Sequence, residues 1–295
     1  MQLPRVKGEY KINYELAHLT WLKVGGPAEV FFKPQDTEDL SNFLSQNQRR
    51  LEVTVLGAGS NILIRDKGIN GAVIKLGKNF TNIDFIDDNH IAVGGGCLNF
   101  NLAKFCMLHS IAGFEFLVGI PGTVGGGVAM NAGAYGREFK DIISTIEVID
   151  SDGKILTLTP EQIGFKYRGN NLAKDLIITK AIFTTTLGKQ SSISALMDEI
   201  NAKRLATQPI KERTCGSTFA NPETYKAWQL IESAGLKGYR IGNASMSTLH
   251  CNFMINHGNA TAEDLESLGE FVRQKVFEHS GIMLEWEVKR IGNIE

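Results

Sequence analysis

Short apolar runs separated by turn residues dominate the first part of the chain. Leu51–Leu56 reads as a strand that ends in Gly57-Ala58-Gly59-Ser60-Asn61. Ile62-Leu63-Ile64 follows, then a turn at Asp66-Lys67-Gly68 and a further strand at Val73–Leu76. Ile83–Ile86 and Ile91–Val93 flank Asp87-Asp88-Asn89, while Ile143–Ile149 and Lys154–Leu158 flank Ser151-Asp152-Gly153. Both pairs have the apolar arms and turn chemistry of hairpins. Leu176–Thr186 reads as a long strand. Leu98–Leu108 has helical spacing instead, with Leu98, Leu102, Phe105 and Leu108 on one face.

The pattern changes after Gly188. Ser192–Ala206 reads as a helix ending near Pro209, and Thr224–Ala234 as a helix stopped by Gly235. Thr261 and Asp264 form a capping pair ahead of a helix whose apolar face is Leu265, Leu268, Val272 and Val276. Met283–Ile291 reads as a closing strand, in which alternation puts Glu285 and Glu287 on one face and Trp286 on the other. Strands first and helices later predict an α+β architecture, with a larger front region and a smaller C-terminal domain.

Composition narrows the function classes. The 295 residues suffice for two or three domains, and 43% hydrophobic with 21% charged residues is ordinary for a globular protein. A net charge of -1 gives no general attraction to nucleic acid or to an acidic membrane. No apolar run approaches the roughly 18 residues of a membrane span. Met1 to Tyr10 carries charges and a proline rather than an apolar signal core, which predicts a cytoplasmic protein. Cys97, Cys106, Cys215 and Cys251 are scattered without a Cys-x-x-Cys pair, so no metal site is expected and the thiols read as small buried hydrophobes.

The glycines carry the chemistry. Gly119-Ile120-Pro121-Gly122-Thr123-Val124-Gly125-Gly126-Gly127 is followed by Asn131-Ala132-Gly133-Ala134-Tyr135-Gly136. Glycine costs backbone entropy and fills no core, but it exposes N–H groups and allows close approach. Concave runs of such N–H groups hold phosphate. With the Gly57–Asn61 loop upstream, two such segments suggest a large cofactor carrying a diphosphate. A Rossmann unit is excluded by context: Ile62 stands where the third glycine belongs, and a β-branched run follows in place of a helix.

These segments resemble the UDP-N-acetylenolpyruvoylglucosamine reductase family. The resemblance continues through Tyr167-Arg168, Gly216-Ser217-Thr218-Phe219-Ala220-Asn221-Pro222, Ala244-Ser245, His250-Cys251-Asn252-Phe253 and Leu284-Glu285-Trp286-Glu287-Val288, in order over nearly the whole chain. It implies a two-part FAD-binding region of the PCMH, or vanillyl-alcohol-oxidase, type and a smaller α+β substrate domain. The implied boundaries are 1–77 for the first FAD-binding subdomain, to which 288–295 returns, 78–204 for the second, and 205–287 for the substrate domain. Lys23-Val24-Gly25-Gly26 resembles the family's N-terminal glycine pair. Residues Gly57, Ala58, Gly59, Ser60, Asn61, Gly119, Ile120, Pro121, Gly122, Thr123, Gly125 and Gly126 would hold FAD, with the diphosphate on backbone N–H groups. Asn131, Gly133, Ala134 and Tyr135 would lie near the flavin. No histidine or cysteine is placed for covalent attachment, so the FAD is expected to be noncovalent.

The resemblance also implies the reaction. NADPH reduces the flavin, and the enolpyruvyl ether of UDP-N-acetylenolpyruvoylglucosamine is then reduced to UDP-N-acetylmuramate, a peptidoglycan precursor. Ser217 matches the family's proton donor. Arg168 matches its arginine, whose fork of donors suits a carboxylate gaining enolate charge. Glu287 matches its glutamate. Tyr167 and Asn221 match positions near substrate, and Lys237, with Lys211, Arg213 and Arg240, is a candidate cation for binding the uridine diphosphate of the substrate. Gly169-Asn170-Asn171 departs mildly from the family's continuation after Arg168. Two other readings remain at this point: a PCMH-type oxidase of an alcohol or lactone, and a noncatalytic FAD- or nucleotide-sugar-binding protein.

Overall fold

A computed structural model describes residues 3–294, so residues 1, 2 and 295 at the ends of the expected subdomains lie outside the described residues. The chain divides into two units: Met1–Ile12, Val30–Ala58 and Gly71–Ala202 form the first, and Asn13–Glu29, Gly59–Asn70 and Lys203–Glu295 the second.

The first unit contains a five-stranded antiparallel sheet in the order Ile155–Leu158, Ile143–Ile149, Ile177–Thr184, His90–Gly94, Ile83–Asp87. Both expected hairpins are in it. The long strand is shorter than its apolar run, because Thr186–Leu187 leaves to pair with Ile111–Ala112. Helix Asn99–Leu108 forms, but Leu98 and Leu108 are exposed and Asn99, Leu102, Ala103 and Cys106 are its buried residues. The larger side chains misled the pattern: small Ala103 and Cys106 allow the helix to approach the core closely. A smaller core of Phe32, Phe43, Leu44, Ile74 and Phe80 lies under helix Thr37–Asn47. The parallel pair Val53–Val55 and Ile69–Ile74 carries the chain to the first glycine loop, and the second strand begins earlier than its apolar run suggested.

Part of the glycine-rich Gly119–Gly127 segment is helical. Glu115–Gly119 is a 3-10 turn and Val124–Ala129 a short α-helix. Glycine's poor helix propensity is overridden locally. Thr123 caps the helix by accepting from Gly126 N at 3.3 Å, and Gly127 packs so closely on the Phe139 ring that a Cβ there would overlap it.

The second unit has a three-stranded antiparallel sheet, Arg240–Ile241, Ala244–Met246 and Met254–Asn256. Helix Ala262–Ser280 has the Thr261/Asp264 capping box, and its face Leu265, Leu268, Val272 and Val276 is buried. Helix Ala227–Ser233 starts later than Thr224, since Asn221 Oδ1 accepts from Ala227 N at 3.0 Å. Of the closing segment only Lys289–Ile291 is a strand, parallel to Ile62–Ile64. Upstream, Leu284 and Val288 are buried and Glu285 is exposed, but Trp286 and Glu287 are both half-buried, so the expected alternation is incomplete.

Candidate active site

A cavity of about 290 Å³ lies within the first unit. Gly57, Ala58, Thr123, Gly125 and Gly126 line it together with Lys75 and apolar residues including Leu98 and Ile178. The two glycine segments, distant in sequence, meet here: a Cβ on Gly57 would stand 2.8 Å from Thr123 Oγ1. The Gly57 and Ala58 N–H groups have no hydrogen-bond partner among the described residues. The N–H groups of Val124, Gly125, Gly126 and Gly127 are all used, on Cys97 O, Gly95 O, Thr123 Oγ1 and Thr123 O. The first loop therefore offers donors, while the helical glycines offer surface without side chains. Gly126 is exposed, and a Cβ there would meet only Thr123 Oγ1 at 3.3 Å, so its missing side chain leaves room for a ligand. Free donors, a side-chain-free wall and a lysine suit a diphosphate, and the residues present fit the central diphosphate of FAD.

A second cluster in the first unit surrounds Arg168. Asn131, Tyr135 and Arg168 all have positive φ, at 41°, 53° and 54°. Such conformations cost about 1–3 kcal/mol each and persist where surroundings fix them. Here buried Asn131 does the fixing. Its Nδ2 donates to Glu138 Oε2 at 3.0 Å and Lys166 O at 2.9 Å, and its Oδ1 accepts from Lys140 N at 3.0 Å. The guanidinium carbon of Arg168 lies 4.9 Å from the centre of the Tyr167 ring. A Cβ on Gly133 would stand 3.2 Å from Arg168 Nη1, which brings the Asn131–Tyr135 turn and the arginine together. Tyr135 packs against Gly119 and donates to Ile200 O at 3.4 Å.

The second unit joins Ser217 to Glu287. Gly216, at φ +86°, turns the chain into half-buried Ser217. Thr218 O accepts the N–H of Glu287 at 2.9 Å and that of Val288 at 3.3 Å. The Ser217 hydroxyl makes no hydrogen bond among the described residues. Buried Asn252 locks the segment: its carbonyl accepts from Thr218 N, its Oδ1 from Phe219 N at 3.0 Å, and its Nδ2 donates to Phe219 O at 2.9 Å. From the other side, Asn61 Nδ2 donates to Glu287 O at 3.1 Å. Trp286 is fixed by Glu270 Oε1 at 2.8 Å, by the Phe219 ring at 5.2 Å, and by lying on Gly269, where any Cβ would overlap the indole.

The sequence-predicted residues thus fall into three groups. Gly57, Ala58, Thr123, Gly125 and Gly126 share the cavity; Tyr167 and Arg168 share the Asn131–Tyr135 cluster; Asn61, Ser217 and Glu287 share one backbone lattice. Gly59 and Ser60 belong to the second unit, and Gly119, Ile120, Pro121 and Gly122 do not line the cavity. Lys237 is exposed in an ion pair with Glu232 at 2.8 Å. All four cysteines are buried and free, with the Cys215 thiol pushed up to about 12 by burial. Burial also lowers His250, whose Nδ1 accepts from Asn252 N at 3.4 Å. Sequence reasoning missed Lys75, Asn252 and Gly269. Only Asn252 had a signal, its place inside a quoted motif.

The chain is similar to known proteins along its whole length. Residues 28–159 match the family profile described as FAD binding domain, and residues 208–291 match the C-terminal domain of UDP-N-acetylenolpyruvoylglucosamine reductase. UDP-N-acetylenolpyruvoylglucosamine reductase from Rickettsia bellii (strain RML369-C) is 68% identical over 294 residues, covering 100% of this chain and 97% of its own. That of Rickettsia canadensis is 68% identical over 293 residues, with 99% of each chain covered. The crystal structure of UDP-N-acetylenolpyruvylglucosamine reductase (MurB) from Thermus caldophilus has a TM-score of 0.85 at 33% identity, covering 98% of this chain and 100% of that one. A PCMH-type FAD-binding region joined to that C-terminal domain, and relatives of this identity along the full chain, make one assignment: the chain belongs to the UDP-N-acetylenolpyruvoylglucosamine reductase family.

Proposed function

We propose that Arg168, Ser217 and Glu287 are the residues with which this FAD-dependent oxidoreductase reduces UDP-N-acetylenolpyruvoylglucosamine to UDP-N-acetylmuramate. FAD, when bound, supplies the hydride that originates on NADPH and ends on the terminal methylene carbon of the enolpyruvyl group. The double bond opens, and negative charge collects on the adjacent carbon and in the substrate carboxylate. Arg168 stabilises that carboxylate with its planar donors. Ser217 gives its hydroxyl proton to the adjacent carbon, which completes the product. Glu287 hydrogen-bonds the developing enolate or orients the serine. We assign Gly57, Ala58, Thr123, Gly125 and Gly126 to the FAD diphosphate, and keep the 1–77, 78–204 and 205–287 division as the functional one. With NADPH as reductant, we place the reaction in the cytoplasm.

The observation that carries the roles of Ser217 and Glu287 is their shared node at Thr218 O, beside a serine hydroxyl with no partner among the described residues. The test is Ser217→Ala followed by anaerobic stopped-flow absorbance. Flavin reduction by NADPH should stay near normal, while reoxidation by the enolpyruvyl substrate should fall by about 10²–10⁴-fold. Equal slowing of both half-reactions would make Ser217 a structural residue.

A further inference from the structure

We propose that Lys75 is the counter-charge for the diphosphate of FAD and sets the affinity of the protein for this cofactor. The inference rests on reading the cavity of the first unit as the cofactor's. Lys75 follows the strand Ile69–Ile74, and its N–H is tied to Phe32 O at 3.0 Å, so its backbone is fixed at the end of a packed element. Its Nζ donates to Gly57 O. That bond places the ammonium against the loop whose Gly57 and Ala58 N–H groups lack partners.

Charge balance makes the argument. Among the described residues, Lys75 is the only titratable one lining the cavity. No ion pair joins it to a carboxylate among the described residues, and the charged group that faces it from the neighbouring strand Pro27–Lys33 is another cation, Lys33. Burial and Lys33 both hold the Lys75 ammonium below the ordinary lysine value. A desolvated cation beside a like charge is unfavourable in the free protein. An entering diphosphate reverses this: it meets one ammonium and two unpaired N–H groups at one place. A neutral ligand would leave the lysine as it was.

The measurement is FAD affinity of the deflavinated full-length protein, by equilibrium dialysis, at low and high salt and across alkaline pH. Lys75→Met should weaken FAD binding about tenfold to a hundredfold and flatten the salt dependence. Lys75→Arg should restore most of both. Lys75→Gln keeps a donor for Gly57 O without the charge, so it should behave like the methionine variant. In the wild type, affinity should fall as pH rises through the lowered lysine value, since the ammonium is then lost. This arm needs no variant to fold. Glutamine matching lysine in affinity and salt dependence would reduce Lys75 to a brace for the loop and overturn the proposal. Unchanged affinity in Lys75→Met with loss in Gly126→Val would overturn it while leaving the cavity assignment intact. Unchanged affinity in both would remove that assignment as well.

Discussion

The two units prepare chemistry in opposite ways. In the first, the cavity is made of what is missing: side chains at Gly57 and Gly126, and partners for the Gly57 and Ala58 N–H groups. In the second, Ser217 and Glu287 are held by what is present. Asn252, Asn61 and Thr218 O together tie both backbones from several directions. A void can be filled without harming the fold around it, whereas a cross-linked backbone lattice loses stability whenever one member goes. Binding of a cofactor and placement of the proposed proton donor should therefore separate under mutation.

Asn252→Ala should give the largest effect. It strands the Phe219 N–H and C=O in a buried place, at about 1–3 kcal/mol for each unpaired group, so a loss near 3 kcal/mol is expected. Trp21, Trp228 and Trp286 account for all 3 tryptophans and all belong to the second unit. Urea unfolding followed by tryptophan fluorescence will therefore read this loss directly. Reoxidation by substrate should slow more than reduction by NADPH, and FAD affinity should hold. A drop in FAD affinity matching the drop in stability would show that the two units are not separable in this way.

Gly126→Val and Gly127→Ala sharpen the comparison within the first unit, because adjacent glycines serve different ends. A side chain at 126 enters the cavity and meets little protein; one at 127 overlaps the Phe139 ring. The first should cost about tenfold to a hundredfold in FAD affinity with an unchanged melting temperature of the FAD-free protein. The second should cost about 1–3 kcal/mol of stability. Dialysis and circular dichroism together decide it, and reversed outcomes would mean that the glycine run serves packing alone.

The sequence disclosed most where pattern and cap agreed. Thr261, Asp264 and the Leu265–Val276 stripe named a helix whose buried face contains all four named apolar residues, with Ala262 and Gly269 added to it. The hairpins at Asp87–Asn89 and Ser151–Gly153 were equally legible, since apolar arms and turn residues coincide. Helix Asn99–Leu108 was legible but its face was not, because Ala103 and Cys106 bury themselves by smallness rather than hydrophobic size. That the first glycine loop leaves open space beside it could be read from its composition, since Gly57 and Ala58 line the cavity. The short helix Val124–Ala129 could not, since its cause is a contact with Phe139 that no local window contains. Lys75 was hidden for the same reason. A lysine ending a strand looks solvated until the chain closes around it. Asn252 is another such case, being informative only once Phe219 lies beside it.

The smallest expected effect concerns acid. Glu266 accepts from Arg65 Nε and Nη2, both at 2.9 Å, and from Arg290 Nη1 at 3.0 Å, which ties helix Ala262–Ser280 to strands Ile62–Ile64 and Lys289–Ile291. Hydrogen bonding from Arg65 holds its carboxyl below the usual carboxylate range, against the opposing effect of burial. A depressed folded value means stabilisation that is complete above the unfolded value and is lost as pH falls through the folded one. The pair is partly solvated, so about 1 kcal/mol is the appropriate scale. Glu266→Gln should be less stable than wild type by that amount at neutral pH, and the difference should close below the usual carboxylate range. Tryptophan-monitored urea unfolding at neutral and acid pH reads the second unit alone. A gap that persists unchanged in acid would mean that glutamine fails there by shape and not by charge, and the lattice behind Trp286 and Glu287 would then be steric in origin.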